Sequence, residues 1–425
     1  MGNATRDNAF EYVNGILKWC DVDVASIAQK TGTPCLVYSS TRIRDNLEAL
    51  RAFAMATNRP TGIALALKAA GHASIMKSAI AAINAIAPCN LLCEVMSAEE
   101  YDLALKLGFS PDQIVVNGLG WQHSLIEAIV MRPPFAVNVD NVSDCRRLSQ
   151  CALAHGTVIP IGVRLVPSDA AMFARADEKM GIPETRALRD IAEIKSLPGV
   201  RVEGVSFHAL HRCTSPGQMG AVANNIAQQI LRLGLADSIK YLDIGGGLDY
   251  RINLSPSDAA MSAFADEVST AFSAFPESVS LIMEPGRFIF GDAAIAVTSV
   301  VTRKQSATKN WLIVDAGTNL LVPIDTASFT VHAAVESAEQ DSFDVADGIC
   351  SPTSVIASDR LLPRSTREND ILAIGNAGAY AYALSENWGY AIPSLYLLEP
   401  DGSLMLARSN QEARTAFMHH WGLKG

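Results

Sequence analysis

Two short segments some forty residues apart hold the densest chemistry of this chain: Leu242-Asp243-Ile244-Gly245-Gly246-Gly247 and Met283-Glu284-Pro285-Gly286-Arg287, each behind an apolar run. Three consecutive glycines let backbone N–H groups come close to a phosphate, because no Cβ blocks the ligand's path or a positive φ. A tight strand-to-helix turn needs glycine for steric reasons alone. The second segment tips the balance towards a cofactor cradle, because it adds a carboxylate at Glu284 and a guanidinium at Arg287. Upstream, Lys68 lies in Ala66-Leu67-Lys68-Ala69-Ala70 among small and apolar residues. Desolvation at such a place favours the neutral amine, which is the nucleophile a Schiff base requires. The ordinary alternative is a long side chain that keeps its charge in water.

These groups need a frame to bring them together. From about Thr33 onward, short β-rich runs alternate with longer helical patterns, the signal of βαβ units. Runs at residues 63–67, 90–94, 114–116, 135–139, 159–164, 202–207, 241–243 and 280–283 predict a (β/α)8 barrel. Several end in a polar residue, as strands do when they deliver side chains to a site at the barrel's carboxyl end. Residues 97–107 read as a helix, with Ala98, Tyr101 and Leu105 at helical spacing. After Gly291 the pattern changes to β-rich segments broken by Pro and Gly, at 294–302, 311–315, 329–335, 371–374 and 395–398. They predict a mostly antiparallel β domain, which the β run at 34–38 joins. The expected fold is α/β, an alanine-racemase-like barrel over residues 39–288, with a β-rich domain over 1–38 and 289–425.

Composition narrows the function classes. The 425 residues are 49% hydrophobic and carry a formal charge of −10, so there is no basic footprint for nucleic acid. Eight cysteines without CxxC pairs, and no secretory pattern at the start, point to a reducing cytoplasm. The opening Met1-Gly2-Asn3-Ala4-Thr5-Arg6 departs from a myristoylation signal at Arg6. The apolar stretch 63–88 is broken by Lys68, His72 and Lys77, which fits a soluble core and no membrane span. No metal site is expected.

Over most of its length the chain resembles the fold-type III pyridoxal-phosphate decarboxylases, the family of ornithine, arginine and diaminopimelate decarboxylases. Lys68 falls where that family has its internal-aldimine lysine, with Ala70 in place of the usual Asn. The segments Glu94-Val95-Met96-Ser97-Ala98-Glu99-Glu100 and Lys179-Met180-Gly181-Ile182 resemble family segments that set register. The resemblance implies pyridoxal 5'-phosphate as cofactor, His208 stacked on its ring and Gly245, Gly246 and Gly247 as its phosphate loop. It also implies Gly286 and Arg287 as further phosphate contacts and Glu284 as partner of the ring nitrogen. A carboxylate there keeps the ring protonated and electron-accepting, whereas the related alanine racemases place an arginine. In the second domain, Asp347-Gly348-Ile349-Cys350-Ser351 resembles the segment whose cysteine acts as the proton donor in the partner subunit's site. Gly378-Ala379-Tyr380 resembles the one whose tyrosine contacts phosphate. A homodimer with shared active sites is implied, with a small amino-acid substrate.

Substrate choice is expected where the resemblance thins. Family members that bind a distal ammonium usually carry acids just after the cysteine, but Ser351 and Ser354 stand here, and neutral hydroxyls do not offset a buried cation as carboxylates do. After His208 the usual small pair is replaced by Leu210-His211-Arg212-Cys213, which points to His211 or Arg212 binding a distal anionic or polar group. The run from Asn376 to Tyr382 is similar to the siderophore-pathway branch. The expected activity is therefore decarboxylation of an amino acid or amino-acid conjugate lacking a simple distal ammonium. The alternatives are a diaminopimelate-, ornithine- or lysine-type decarboxylase, an amino-acid racemase, a non-catalytic decarboxylase-like regulator, and a phosphate-binding barrel enzyme without pyridoxal.

Overall fold

The computed structural model describes residues 9–86, 89–168, 179–250, 257–322 and 329–423. The opening Met1–Arg6 segment lies outside them. The chain divides into two compact units, one of Asn46–Lys68 and Ile80–Phe288, the other of Met1–Asp45, Ala69–Ala79 and Ile289–Gly425.

In the first unit eight parallel strands close into a barrel. In chain order they are β5 (Thr61–Ala66), β6 (Asn90–Val95), β7 (Ile114–Val116), β8 (Ala136–Val139), β9 (Ile159–Arg164), β10 (Val200–Ser206), β11 (Tyr241–Asp243) and β12 (Ser280–Met283), and β12 pairs back onto β5. These are the eight runs read from the sequence, with ends shifted by a residue or two. Strand β5 is buried along its whole length, as a parallel strand covered on both faces must be. The helix Ala98–Lys106 begins at Ser97, whose hydroxyl accepts from the Glu100 N–H at 3.1 Å.

The barrel interior is filled by Ala64, Leu92, Val115, Ala136, Tyr241 and Ile282. Tyr241 is the largest of these, and the barrel makes room for it with glycine. A Cβ on Gly204 would fall 2.2 Å from the Tyr241 ring, and one on Gly162 would fall 2.4 Å from its hydroxyl. That hydroxyl donates to Asn138 Oδ1 at 3.1 Å, so packing in the barrel's middle layer fixes an amide just below the carboxyl-end rim.

The second unit is built on β4 (Cys35–Ser39), β13 (Ala294–Gln305), β14 (Asn310–Val314), β15 (Thr330–Ala333), β16 (Gln340–Asp347), β17 (Val355–Pro363), β18 (Ile371–Gly375), β19 (Ser394–Leu398) and β20 (Leu404–Arg408). Their order is β17-β16-β14-β13-β4-β19-β20, with β18 also on β13 and β15 on β18. Most pairs are antiparallel, while β14 with β16 and β4 with β19 are parallel. The strand read at 34–38 joins this sheet, between β13 and β19. A small sheet of β1 (Phe10–Val13), β2 (Ile16–Trp19) and β3 (Val22–Asp23) packs Leu17 and Trp19 onto Val37, Ile295, Val297 and Leu398. Residues 40–45 and 69–79 belong to this unit, although the sequence reading grouped them with the barrel. The cause is contact with the sheet: Arg42 pairs with buried Asp292, the Tyr380 N–H donates to Ala69 O at 2.7 Å, and a Cβ on Gly71 would meet Ala383 at 2.7 Å. Among the described residues no helix is long and apolar enough to cross a membrane.

The barrel packing gives a graded prediction for urea unfolding. Tyr241→Phe, which loses one buried hydrogen bond, is expected to cost about 1 kcal/mol. Tyr241→Ala, which leaves a cavity, is expected to cost about 3–5 kcal/mol. Gly204→Ala, which drives a methyl into the ring, is expected to cost about 1–3 kcal/mol.

Candidate active site

Strand β5 ends at Ala66, and the chain turns at once into the short helix Leu67–Ala70, which carries Lys68 just beyond the barrel rim. Its Nζ donates to both oxygens of Glu94, at 2.7 and 2.8 Å. Glu94 lies near the end of the neighbouring strand β6 and is fully excluded from solvent. Sequence reading set Lys68 among apolar neighbours. The structure instead gives its ammonium a two-point carboxylate partner and leaves the side chain 36% exposed. The lysine is thus held by charge as well as packing.

Glu94 opens a chain of polar groups around the rim. Asn117, one residue past β7, donates through Nδ2 to Glu94 Oε1 at 3.2 Å and to Glu284 Oε1. Its Oδ1 accepts from Asn138 Nδ2 at 3.0 Å, and Asn138 also donates to Asp243 Oδ2 at 2.7 Å. Asp243 ends β11 and Glu284 follows β12, which sets their carboxyl groups against each other. Burial pushes Asp243 up to about 6, with Glu94 adding to the rise against the hydrogen bonds from Gly245, Glu284 and Asn138. Burial, Asp243 and Glu94 push Glu284 well above the usual carboxylate range, opposed by Lys68 and the Asn117 amide.

The triple-glycine turn locks three strand ends together. Gly245 and Gly247 have φ of 68° and 92°, where a side chain is strained. A Cβ on Gly245 would come within 2.5 Å of Phe207 O, on Gly246 within 2.4 Å of Glu284 O, and on Gly247 within 2.0 Å of Leu210 O. Glycine is needed here for close backbone approach. The Glu284 N–H donates to Gly245 O at 2.8 Å, and the Gly245 N–H to Asp243 Oδ1 at 3.0 Å. This places His208 beside the turn, its Nε2 3.5 Å from where a Gly246 Cβ would stand. Desolvation by the crowded rim, then the positive charges of Arg164 and Lys68, push His208 down to about 4. The residue is exposed at the rim, and its imidazole is neutral at pH 7. Gly286 and Arg287 begin the short helix Gly286–Phe290 directly after Glu284.

The barrel rim thus brings together Lys68, His208, the three glycines and Glu284. His211 and Arg212 follow His208 in the loop leading to a bridge between Cys213 and Leu248, and Arg212 adopts a left-handed φ of 55°. The remaining sequence-identified residues lie in the sheet unit. Cys350 is exposed in the turn after β16, where the Asp347 carboxylate accepts from the Ile349 N–H at 2.9 Å. Ser351 shares a hydrogen bond with Thr353. Ser354 is buried, its hydroxyl 2.9 Å from Thr318 Oγ1, so that hydroxyl is engaged inside the unit. Tyr380 has φ of 65° and caps the short helix Ala381–Leu384.

Sequence reading missed the roles of Glu94, Asn117, Asn138 and Asp243. A usable signal was present, since Glu94, Asn117 and Asn138 sit at or next to the carboxyl ends of the successive strands β6, β7 and β8, and Asp243 at that of β11. As a set, the rim groups can hold an aldehyde-bearing, phosphorylated heteroaromatic ring: an amine for the aldehyde, a carboxyl for a ring nitrogen, a flat exposed imidazole, and a glycine turn with an adjacent guanidinium for phosphate. Among the described residues no cluster of His, Cys, Asp and Glu is suited to a metal ion.

Residues 52–291, more than half of the chain, match the family described as pyridoxal-dependent decarboxylase, pyridoxal binding domain. The diaminopimelate decarboxylase of Zymomonas mobilis is 27% identical over 387 residues, covering 88% of this chain and 90% of that one. The enzyme of the same name from Archaeoglobus fulgidus is 28% identical over 396 residues, covering 89% and 90%. Among solved structures, diaminopimelate decarboxylase from M. jannaschii in complex with L-lysine superposes with a TM-score of 0.84 at 22% identity over 97% of each chain. The Helicobacter pylori protein of that name, also with L-lysine, gives 0.79 at 22% identity over 94% of this chain and 99% of that one. With a barrel of this family's architecture and a family match that spans it, the chain belongs to the pyridoxal-dependent decarboxylases and is an amino-acid decarboxylase whose cofactor is pyridoxal 5'-phosphate.

Proposed function

We propose that the rim of the barrel is the decarboxylation site, with Lys68 as the cofactor-bearing lysine and Glu94 as the group that orients it. The observation that carries this reading is the two-point Lys68–Glu94 pair, set in one hydrogen-bonded chain with Glu284. Bound there, pyridoxal phosphate supplies the electron sink that accepts the pair left when the bond from Cα to the carboxylate breaks. The chain's own residues do the rest. Glu94 aims the Lys68 Nζ and accepts the proton that the amine must lose before it can attack an aldehyde. His208, neutral at pH 7, offers a flat face for the ring without adding charge. The backbone of Gly245, Gly246 and Gly247, with Gly286 and Arg287, holds phosphate, while Glu284 faces the ring nitrogen. Cys350, contributed across a homodimer, is the acid that reprotonates Cα, and Tyr380 is a further phosphate contact.

The substrate is an amino acid or amino-acid conjugate that lacks a simple distal ammonium, its polar or anionic distal group recognised by His211, Arg212 and Ser351. Its support is the neutral Ser351 beside Cys350, where a carboxylate would be needed to hold a desolvated ammonium. A second reading, decarboxylation of diaminopimelate itself, is favoured by the names of the relatives. That substrate carries both an ammonium and a carboxylate at its distal end, so His211 or Arg212 has a role in either case.

Lys68→Ala is expected to abolish both CO2 release and the bound cofactor's imine absorbance, and a variant that still turns over at the normal rate would refute the assignment. Cys350→Ala is expected to keep the cofactor and slow turnover by about 10²–10⁴-fold, the range for a lost general acid. A panel of amino acids followed by CO2 detection separates the two substrate readings. Polar and anionic substrates lead in the first and diaminopimelate in the second, while ornithine outperforming both would remove both.

A further inference from the structure

Asp243 carries none of these roles, yet both of its carboxyl oxygens are held by fixed donors. One oxygen accepts from the Gly245 N–H at 3.0 Å and the other from Asn138 Nδ2 at 2.7 Å. The Asn138 amide cannot turn over without losing the Tyr241 hydroxyl, which donates to its Oδ1 at 3.1 Å. Asn117 is oriented in the same way: its Oδ1 takes the Asn138 N–H, so its Nδ2 must face Glu94 and Glu284. The Gly245 N–H and the Asn138 amide are thus both fixed on Asp243, while the Asn117 amide is fixed on Glu94 and Glu284. Asp243 is 1% exposed and is joined to Glu284 through the Asn138 and Asn117 amides and through Gly245, which sets the two carboxyl groups together, and two carboxyl groups can bond to each other only through a proton. Asp243, with both oxygens already supplied with donors, is the better anion. The proton then belongs to Glu284.

We propose that Asp243 is a positioning residue that keeps one proton on Glu284, so that the carboxyl group on the barrel rim acts as a hydrogen-bond donor towards a ring nitrogen base. When such a ring binds, the proton moves along that bond from the Glu284 oxygen to the nitrogen. Glu284 becomes a carboxylate and the ring a cation, with no change in total charge. The Asp243 anion makes loss of the proton from this cluster to solvent unfavourable. The charged groups facing Glu284 are Asp243 and Glu94, which favour retention of the proton, and Lys68, which opposes it. Replacing Asp243 by a neutral isostere must therefore let the cluster lose its proton at lower pH. This inference rests on Glu284 facing the ring nitrogen only in its second half, since the place of the proton before the ring binds is independent of that reading.

The test uses the full-length protein with and without cofactor. In the cofactor-free protein, infrared spectra with ¹³C-carboxyl glutamate or aspartate locate the protonated side chain at neutral pH. The expected result is a protonated-carboxyl band that moves with the glutamate label and is absent in Glu284→Gln. No such band, or one that moves with the aspartate label, overturns the proposal. In the holoenzyme, ¹⁵N NMR of ring-labelled cofactor reports protonation of the ring nitrogen. Asp243→Asn is expected to lose the ring proton at lower pH than the wild type, and an unchanged titration in a folded variant overturns the proposal. If Asp243→Asn does not fold, the labelled wild-type spectra still decide. A glutamate band together with a ring nitrogen insensitive to Glu284→Gln would leave the proton on Glu284 and remove the Glu284–ring pairing instead.

Discussion

Three carboxyl groups, those of Glu94, Asp243 and Glu284, converge on one barrel rim, and the site depends on how their mutual repulsion is relieved. Three mechanisms share the work: the Lys68 ammonium pairs with Glu94, the amides of Asn117 and Asn138 are interposed, and, in our proposal, a proton stays on Glu284 beside Asp243. Each answers the rule that buried charge must be paired or neutralised. The relief is also what makes the site useful. In the proposed reading the ammonium supplies the amine that a cofactor aldehyde needs, and the proton held on Glu284 is of the kind an electron-accepting ring needs beside its nitrogen.

The barrel is what makes such a cluster possible. Parallel strands present consecutive carboxyl ends at one rim, so residues far apart in sequence meet at hydrogen-bond distance, as Lys68 meets Glu94 and Asn117 meets Glu284. Tyr241 links the two levels. Its ring fills space conceded by Gly162 and Gly204, and its hydroxyl fixes the Asn138 amide on which the polar chain turns. Packing in the middle of the barrel is in this way continuous with the hydrogen-bonded chain at its end.

Much of this was legible in the sequence, because buried parallel strands are short apolar runs at regular intervals and glycine turns carry an obvious mark. The eight barrel strands were readable for that reason. Glu94 was legible as register but not as Lys68's partner, since one carboxylate in a strand says nothing until its counterpart, 26 residues away, is placed opposite. Asn117 and Asn138 carried no signal beyond lying near strand ends. In the sheet unit, β16 and β17 escaped because acidic residues are depleted in strands and Asp359 bends β17 with φ of 55°, beside a slip in register. The hairpin of β1 and β2 turns on Asn14-Gly15, both at positive φ, and was a readable signal left unread.

The account turns on which nitrogen carries the cofactor. Borohydride reduction of the holoenzyme followed by digestion and peptide mapping fixes that nitrogen covalently. The account predicts a single pyridoxyl label on the peptide that contains Lys68. A label on any other lysine, or none after reduction of a fully loaded protein, would contradict it.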